Sequence, residues 1–357
     1  MVTKVLGPKT VCIYVPGGPS DGWSPHVVLG LDPAVDRIKF ICGQGAPAAG
    51  VMSYGNHAIT NWSVANAEFT SRIHPAGSDL TAWPGDPTKV TDLYKGRWGI
   101  QVHGLLPDPN TGEMPEISGC HFRWISQEHG AYSMGACSSR NNYYDHCAAQ
   151  GFQLINYAIH PKDPADPSAD MPPDWRDYTG PHLEVGSYGD RYEYCGLQHG
   201  VSRAAFACSI KAGLEGAVVA DGVFTHDHHP AGGGWLNWQG TKKPGASGPL
   251  AEPGAILIQD RPRADIRRCA INYKGMSNRP VILVQRVSGL TRLRKNVAFG
   301  FGGTILIEMG EVQGHMVGDV VIEGSTFTGT GAPPQVSVRS HDGVELYSGP
   351  VTDPWTT

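Results

Sequence analysis

Residues 139–152 read SRNNYYDHCAAQGF, and residues 189–201 read GDRYEYCGLQHGV. When YDHCAAQ (144–150) is placed over YEYCGLQ (192–198), aromatic residue meets aromatic residue, acid meets acid, and Cys and Gln each meet themselves. Agreement of this kind over seven positions indicates two turns of one repeating structure. In such a structure, equivalent side chains from successive turns stack on one another.

The same local pattern recurs along the chain: a large residue, a Cys or other small residue three positions later, and an apolar residue two positions after that. Copies begin at residues 35, 64, 117, 144, 192, 219, 266, 293 and 322. Each spacing is close to one unit of about 27 residues or to two such units, and a fixed period in this range indicates stacked repeats. Short β-branched runs such as AILIQ (255–259) and VILVQ (281–285) lie between copies and are typical of strands.

These observations predict an all-β fold, a single-stranded parallel β-helix with about 27 residues per coil. Each coil buries its apolar side chains against its neighbours at a spacing of about 4.8 Å. The expected divisions are an N-terminal cap (1–34), the β-helix (35–342) and a C-terminal tail (343–357). A β-sandwich is the alternative, but it does not predict a constant unit. The cysteines of the repeat are expected on one inward ladder: Cys120, Cys147, Cys195 and Cys269.

The "IxxCxF" copies, as in ISGCHF (117–122), and the "ILIQ" strands resemble the pectin-lyase-like superfamily of right-handed parallel β-helices. The resemblance covers residues 35–340 and implies a right-handed helix. That superfamily includes polysaccharide lyases, glycoside hydrolases and esterases. It also includes phage tailspikes and other virion appendages, many of them trimers. The fold does not choose among these functions.

The composition limits which partners the protein is expected to bind and in which cellular compartment it is expected to fold. The formal net charge is −5 and there is no run of Lys or Arg, so no nucleic-acid partner is expected. No apolar stretch of about 18 residues predicts a membrane span. The start of the chain is a poor signal peptide, and the eight cysteines form no CxxC pair, which favours buried reduced thiols. We therefore expect a virion protein assembled in a host cytoplasm; the alternative is a secreted protein whose signal peptide has been removed.

Two long insertions rich in Pro, Gly and Asp interrupt the repeat, at 155–182 and 225–254. If the coils are in phase, the two loops emerge on one side of the helix. Trp175, Trp235 and Trp238 are candidate glycan-stacking residues, because a flat indole packs well on the apolar face of a sugar. The alternative is that these side chains cover the flank of the coils.

Two further sets of residues carry candidate chemistry. His226, Asp227 and His228 are candidate metal ligands, although neighbouring residues of an extended segment point in alternate directions; solvated loop side chains are the alternative. Asp145 and Glu193 are the candidate catalytic pair, since neighbouring coils bring carboxylates within the roughly 5–9.5 Å that glycoside hydrolysis uses. A plain solvated face is the alternative for this pair.

No complete catalytic motif is present. Polygalacturonase-type members of the superfamily have a paired-Asp motif, and this chain has no Asp-Asp pair. The sequence therefore favours a structural or adhesion protein of a phage-like virion (a decoration, tail or receptor-binding component) with loops that are candidates for glycan binding. Its expected partners are other copies of the chain in a trimer, other virion proteins and a polysaccharide, and no cofactor is expected. The alternative is a lyase or hydrolase of an acidic polysaccharide, with Ca²⁺ if it is a lyase.

Overall fold

The structure of the 357-residue chain is a computed structural model, and every regular element among the residues that it describes is a strand. The structure describes residues 2–7, 10–13, 38–41, 49–53, 62–70, 98–108, 110–123, 125, 129–145, 147, 150–155, 184–195, 206–213, 215–226, 254–273, 280–295, 297–312, 315–352 and 355–356. Among them there is no helix that could span a membrane.

The strands form three large sheets and one short hairpin. The hairpin pairs β1 (Val2–Gly7) with β2 (Thr10–Ile13). Sheet 1 contains β4 (Ala49–Ser53), β7 (Trp98–Leu105), β10 (His129–Gly135), β13 (Gln150–Ile155), β16 (Phe206–Lys211), β19 (Gly254–Gln259), β22 (Pro280–Val287), β25 (Thr304–Val312), β26 (His315–Val317), β29 (Gln335–Arg339) and β30 (Glu345–Pro350). Sheet 2 contains β5 (Ser63–Ala65), β8 (Glu116–Ser118), β11 (Ser138–Arg140), β14 (Glu184–Tyr188), β17 (Gly216–Ala220), β20 (Ala264–Arg267), β23 (Thr291–Arg294), β27 (Val320–Ile322) and β31 (Trp355–Thr356). Sheet 3 contains β3 (Ile38–Ile41), β6 (Ala67–Thr70), β9 (His121–Arg123), β12 (Tyr143–Asp145), β15 (Arg191–Glu193), β18 (Val223–His226), β21 (Ala270–Tyr273), β24 (Ala298–Phe299) and β28 (Thr326–Phe327).

Each coil passes through sheet 1, then sheet 2, then sheet 3, and the next coil repeats the order. The strand β10 pairs in parallel with β7 on one side and β13 on the other, and β11 and β12 pair in the same way within their own sheets. This arrangement of three mostly parallel sheets is consistent with a parallel β-helix, and it confirms the all-β prediction. Two face-packed antiparallel sheets, which a β-sandwich requires, do not match this topology.

The corner between sheet 2 and sheet 3 is tight and repeats from coil to coil. Its first residue has positive φ, as at Asn141 (53°), Gly189 (66°) and Asp221 (58°). The backbone N–H of this residue donates to the carbonyl of the next coil: Asn141 to Tyr188 at 2.8 Å and Gly189 to Ala220 at 2.9 Å. Since Asn, Asp and Gly tolerate this conformation, the polar and glycine residues of the sequence repeat form the turn.

Aromatic rings stack along the interior behind sheet 3. The stack contains Phe69, Phe122, Tyr144, Tyr192 and Phe224, with ring centroids 4.7–4.9 Å apart and planes within 9° of parallel. All five rings are fully buried. The opening match of Tyr144 with Tyr192 is therefore a rung of this stack. A side chain at Gly130 or Gly151 would overlap the rings of Tyr144 and Tyr192, so glycine makes room for them.

Coil length is not uniform. Ile117 pairs with Ser139 and Ile266 pairs with Leu293, and both of these coils are short. However, Val219 pairs directly with Ile266, and Val64 pairs directly with Ile117, although each of these two intervals has the doubled spacing. The doubled spacings of the sequence are thus single coils with long insertions, and the constant unit predicted from the repeat does not describe this helix.

The cysteines of the repeat lie at two places rather than on one ladder. Cys120 and Cys269 occupy the corner between sheets 2 and 3, because Ile117 and Ile266 belong to sheet 2. Cys147 and Cys195 instead follow the sheet 3 strands β12 and β15. The expectation of a single ladder was wrong, although all four residues are buried.

We expect the described thiols to be unreactive in the folded protein. Six described cysteines form no disulfide and are buried: Cys120, Cys137, Cys147, Cys195, Cys208 and Cys269. Burial raises the pKa of Cys269 to about 12 and shifts that of Cys137 higher still, so almost no thiolate forms at neutral pH. In a variant with Cys12 and Cys42 replaced by Ser, a thiol reagent should label no group before denaturant is added. Fast labelling of any thiol in the native state would contradict the burial.

The C-terminal end of the helix is closed by antiparallel strands. The strand β30 pairs with β29, and β31 pairs with β27. The segment predicted as a tail therefore contributes strands to sheets 1 and 2. Within the predicted N-terminal cap (1–34), the structure describes the β1–β2 hairpin, and the remaining residues lie outside the described part of the chain.

Candidate functional site

The candidate carboxylates Asp145 and Glu193 are register partners in adjacent coils of sheet 3. Each has a guanidinium partner: Arg123 Nε donates to Asp145 Oδ2 at 3.0 Å, and Arg191 Nε donates to Glu193 Oε1 at 2.8 Å. The Tyr143 hydroxyl donates to Glu193 as well. Both carboxylates are thus held in ion pairs with arginine side chains.

Aromatic stacking reinforces this ion-pair network. The His121 and Tyr143 rings stack with centroids 4.6 Å apart, and the Arg191 guanidinium lies 5.2 Å from the centre of the Tyr143 ring. Burial and the neighbouring Glu193 raise the pKa of Tyr143 well above its usual value, so its hydroxyl keeps its proton. These contacts favour a structural role for the network, which ties three coils together. Catalysis by the carboxylate pair stays a hypothesis.

A second polar cluster lies on the outer face of sheet 1. Gln101, Tyr132, Gln153 and Ser209 are register partners on four successive coils. Their neighbours in each strand point into the core, as Ile100 and Val102 do on either side of Gln101. We call this cluster the polar face and define it as Gln101, His103, His129, Tyr132, Gln150, Gln153, Ser209 and Lys211.

Part of the polar face is well buried. Gln101, Gln150 and Gln153 are 4–7% exposed, and Ser209 is fully buried. Ser209 Oγ has no hydrogen-bond partner among the described residues. A buried hydroxyl without a partner costs free energy, so it marks a position where a ligand or an ordered water can supply one. His103, Tyr132 and Lys211 are partly exposed and provide the accessible surface of the cluster.

The polar face combines one cationic side chain with several neutral polar side chains. Loss of hydration, together with the positive charge of Lys211, lowers the pKa of His129 to about 3. Burial also lowers the pKa of His103. Both imidazoles are therefore neutral at pH 7, and Lys211 is the only charged member of the eight. Such a surface is suited to sugar hydroxyls and to one carboxylate or sulfate.

Ring contacts hold the cluster together. The Tyr132 ring lies 5.3 Å from the His129 ring and 6.0 Å from the His103 ring, centroid to centroid. Gln101 Nε2 lies 3.3 Å from His103 Nε2, within hydrogen-bond distance. The strands fix these side chains because each backbone is paired on both sides within sheet 1.

Long connections join sheet 1 at both edges of the polar face. The first insertion follows the end of β13, at the corner leading to sheet 2. The second lies between β18 and β19, at the corner leading from sheet 3. The two insertions therefore leave from opposite ends of sheet 1 strands, which differs from the expectation of one side. Trp175, Trp235 and Trp238 lie outside the described residues, so their grouping stays a prediction.

The candidate metal ligands are only partly described. The His226 ring is buried, with centroids 5.5 Å from the Tyr194 ring and 5.4 Å from the Tyr273 ring. Asp227 and His228 lie outside the described residues. Within the described part of the chain, no group of three or more His, Cys, Asp or Glu side chains is placed to hold a metal ion.

Sequence reasoning missed the polar face because it looked for acidic pairs and for loops. The available signal was the alternation of polar and apolar residues within single strands. In QVH (101–103) and in SIK (209–211), polar residues alternate with an apolar one. An alternation of period 2 indicates one buried face and one outward face. Repetition of outward polar residues in successive sheet 1 strands would have identified this surface.

Comparisons of the chain with models of protein families, with curated protein sequences and with solved structures found no match. The fold places it in the class of all-β proteins with stacked parallel sheets.

Proposed function

We propose that this protein is a structural or adhesion component of a phage-like virion and that it binds a glycan through the polar face. One observation carries the glycan part: four successive coils place amide, hydroxyl and phenol groups in register on the outer side of sheet 1, where Tyr132, His103 and Lys211 are partly exposed. A glycan chain has hydroxyl groups at regular spacing and an apolar C–H surface. A row of side-chain donors beside an aromatic ring matches both features.

The wider proposal keeps the right-handed, pectin-lyase-like helix and a trimer with parallel axes. Connections between parallel strands of one sheet are right-handed in about 98% of cases, which supports the handedness. Long flat flanks suit a cyclic trimer, in which every subunit buries the same surface. The buried free thiols support folding in a reducing host cytoplasm before assembly with other virion proteins.

A lyase acting on an acidic polysaccharide is the second candidate, and the neutral imidazoles favour it. In this scheme His103 takes the proton next to a uronate carboxylate. Lys211 lies three strands from His103 in sheet 1, so it attracts the acidic chain from a neighbouring position. The bond to the leaving sugar oxygen then breaks, and Tyr132 could return a proton to that oxygen. Release of an unsaturated sugar, which absorbs ultraviolet light, would distinguish lyase activity from binding.

The glycan proposal is tested with two substitutions on the polar face. Lys211→Met should weaken binding of an acidic glycan about 10- to 100-fold, because a hydrogen bond to a charged group contributes about 1.5–3 kcal/mol. Tyr132→Ala should weaken binding of acidic and neutral glycans alike. Binding is measured by calorimetry after screening a panel of acidic and neutral polysaccharides.

Arg339→Met is the matched control, since Arg339 is an exposed cation on the same outer face, several coils away. It should bind the selected glycan as the wild type does. Equal affinities for wild type, Lys211→Met and Tyr132→Ala would remove the polar face as the binding site. No binding of any glycan in the panel would leave only the structural part of the proposal.

A further inference from the structure

Two successive coils place a polar side chain at the second position of the corner between sheets 2 and 3. Asn142 Oδ1 accepts a hydrogen bond from the Cys120 backbone N–H at 2.8 Å. One coil later, Asp190 Oδ1 accepts from the Asn142 backbone N–H at 2.7 Å. Both side chains thus satisfy the buried N–H of the preceding coil. Because asparagine performs this task at 142, the task does not require the ionisable group at 190.

The surroundings of Asp190 offer no compensating charge. Asp190 is fully buried, and its Oδ2 accepts from the Ser187 hydroxyl at 2.7 Å and lies 3.4 Å from the Tyr192 hydroxyl. The Arg191 side chain, next in the chain, pairs instead with Glu193 on the outside. No cationic side chain among the described residues pairs with Asp190.

The titratable groups that face Asp190 are all weak acids. They are Tyr144, Tyr192, Cys137 and Cys208; at the corner of the next coil, Asp221 is an exposed carboxylate paired with Arg268. Burial raises the pKa of each of the four weak acids, so they stay neutral across the physiological range. None of these four groups changes charge between pH 4 and 7, so among this buried set the group that titrates is the carboxyl of Asp190.

We propose that Asp190 makes the β-helix responsive to protons, with the coil stack most stable in mild acid and loosened at neutral pH by a buried carboxylate. The coil concerned includes β13, which carries Gln150 and Gln153 of the polar face. The proposal rests on the interior contacts alone and holds whether or not the polar face binds a glycan.

The direction of the pH effect follows from linkage. Burial raises the pKa of Asp190 from 3.8 to about 6. A carboxyl that holds its proton more tightly in the folded state stabilises that state below its unfolded pKa. This stabilisation is lost as the pH rises through the folded pKa. Since the pKa of Asp190 is about 6 in the folded state and 3.8 in the unfolded state, the unfolding equilibrium constant should rise roughly 100-fold between pH 4 and pH 7.

Urea unfolding of the full chain between pH 4 and 7.5 tests this. In Asp190→Asn, the Oδ1 acceptor is kept and the new amide can donate to the Ser187 and Tyr192 oxygens. Its unfolding constant at pH 7.5 should be up to about 100-fold smaller than that of the wild type. The difference between the two proteins should vanish towards pH 4, following one titration near pH 6.

Asn142→Asp is the matched counterpart, because it places a second carboxyl at the preceding position of the same column. Its stability should fall more steeply with rising pH than that of the wild type. The proposal is overturned if the stability difference between wild type and Asp190→Asn is independent of pH. It is also overturned if Asp190→Asn is the less stable protein at pH 7.5.

Discussion

Replacing Tyr192 with alanine is expected to lower the free energy of unfolding by about 3–5 kcal/mol. The Tyr192 ring is fully buried between Tyr144 and Phe224, at centroid distances of 4.9 and 4.7 Å. Truncation leaves a cavity that the flanking coils cannot close, because the spacing of the paired strands holds them apart. The loss should appear as a lower urea midpoint at pH 7.

Two substitutions calibrate that result. Tyr192→Phe removes only the hydroxyl, which lies 2.9 Å from Ser187 Oγ, and should cost about 1 kcal/mol. Val223→Ala changes an exposed position in the next coil of sheet 3 and should stay within about 0.5 kcal/mol of wild type. If Tyr192→Ala proved as stable as Val223→Ala, the ring would not be part of an interior stack.

The stacking register of the central coils could be predicted from sequence. Equivalence of Tyr144 with Tyr192 also aligned Asp145 with Glu193, and both pairs are register partners in the structure. The prediction worked here because the inward aromatic residue and its outward acidic neighbour recur together. Two residues on opposite faces of one strand fix its phase, since a slip of one residue would exchange the faces.

The same pattern misled where a strand and a corner have similar signatures. From Ile117, the pattern crosses the corner and ends at Phe122 in sheet 3; from Tyr144, it begins in sheet 3. Both copies contain a short strand with one inward residue and a nearby turn. The large and small side chains therefore recur at nearly the same sequence spacing, whether the copy begins in sheet 2 or in sheet 3. Sequence spacing could not separate the two frames, so the cysteines were assigned to one ladder.

The number of coils could not be predicted from the spacing of the sequence repeat either. An insertion at a corner lengthens the chain without adding a strand, so the stretch from Val219 to Ile266 looks like two units although these residues are register partners. To predict the polar face, one must know which residue of each sheet 1 strand faces outward. That orientation depends on the pairing of four separate strands and is visible only once they are aligned.

Replacing Arg261 with leucine is expected to cost about 3–5 kcal/mol, because it leaves a buried carboxylate without its cation. The Arg261 side chain is fully buried at the corner between sheets 1 and 2, and its Nη1 donates to Glu215 Oε2 at 2.9 Å. Its Nη2 donates to the Lys211 backbone carbonyl at 3.0 Å. A side chain at Gly213 would overlap the guanidinium, so the chain leaves space for this group.

Arg263→Leu is the control for charge alone. Arg263 pairs with Glu184, and both side chains are about 40% exposed, so its loss should cost about 0–1 kcal/mol. The double variant Arg261→Met with Glu215→Gln should recover much of the loss, since no buried charge is left unpaired. Denaturant unfolding of the wild type, Arg261→Met, Glu215→Gln and the double variant gives the coupling between residues 215 and 261.

The Arg261 contact also connects stability with the candidate site. Because Arg261 holds the carbonyl of Lys211, it fixes the end of the strand whose side chain is the cation of the polar face. Arg261→Leu should therefore weaken binding of an acidic glycan at temperatures where the variant is still folded, while Arg263→Leu should not. Unchanged affinity in folded Arg261→Leu would mean that Lys211 is positioned by the sheet alone. A loss of stability as small as that of Arg263→Leu would contradict the burial of the ion pair.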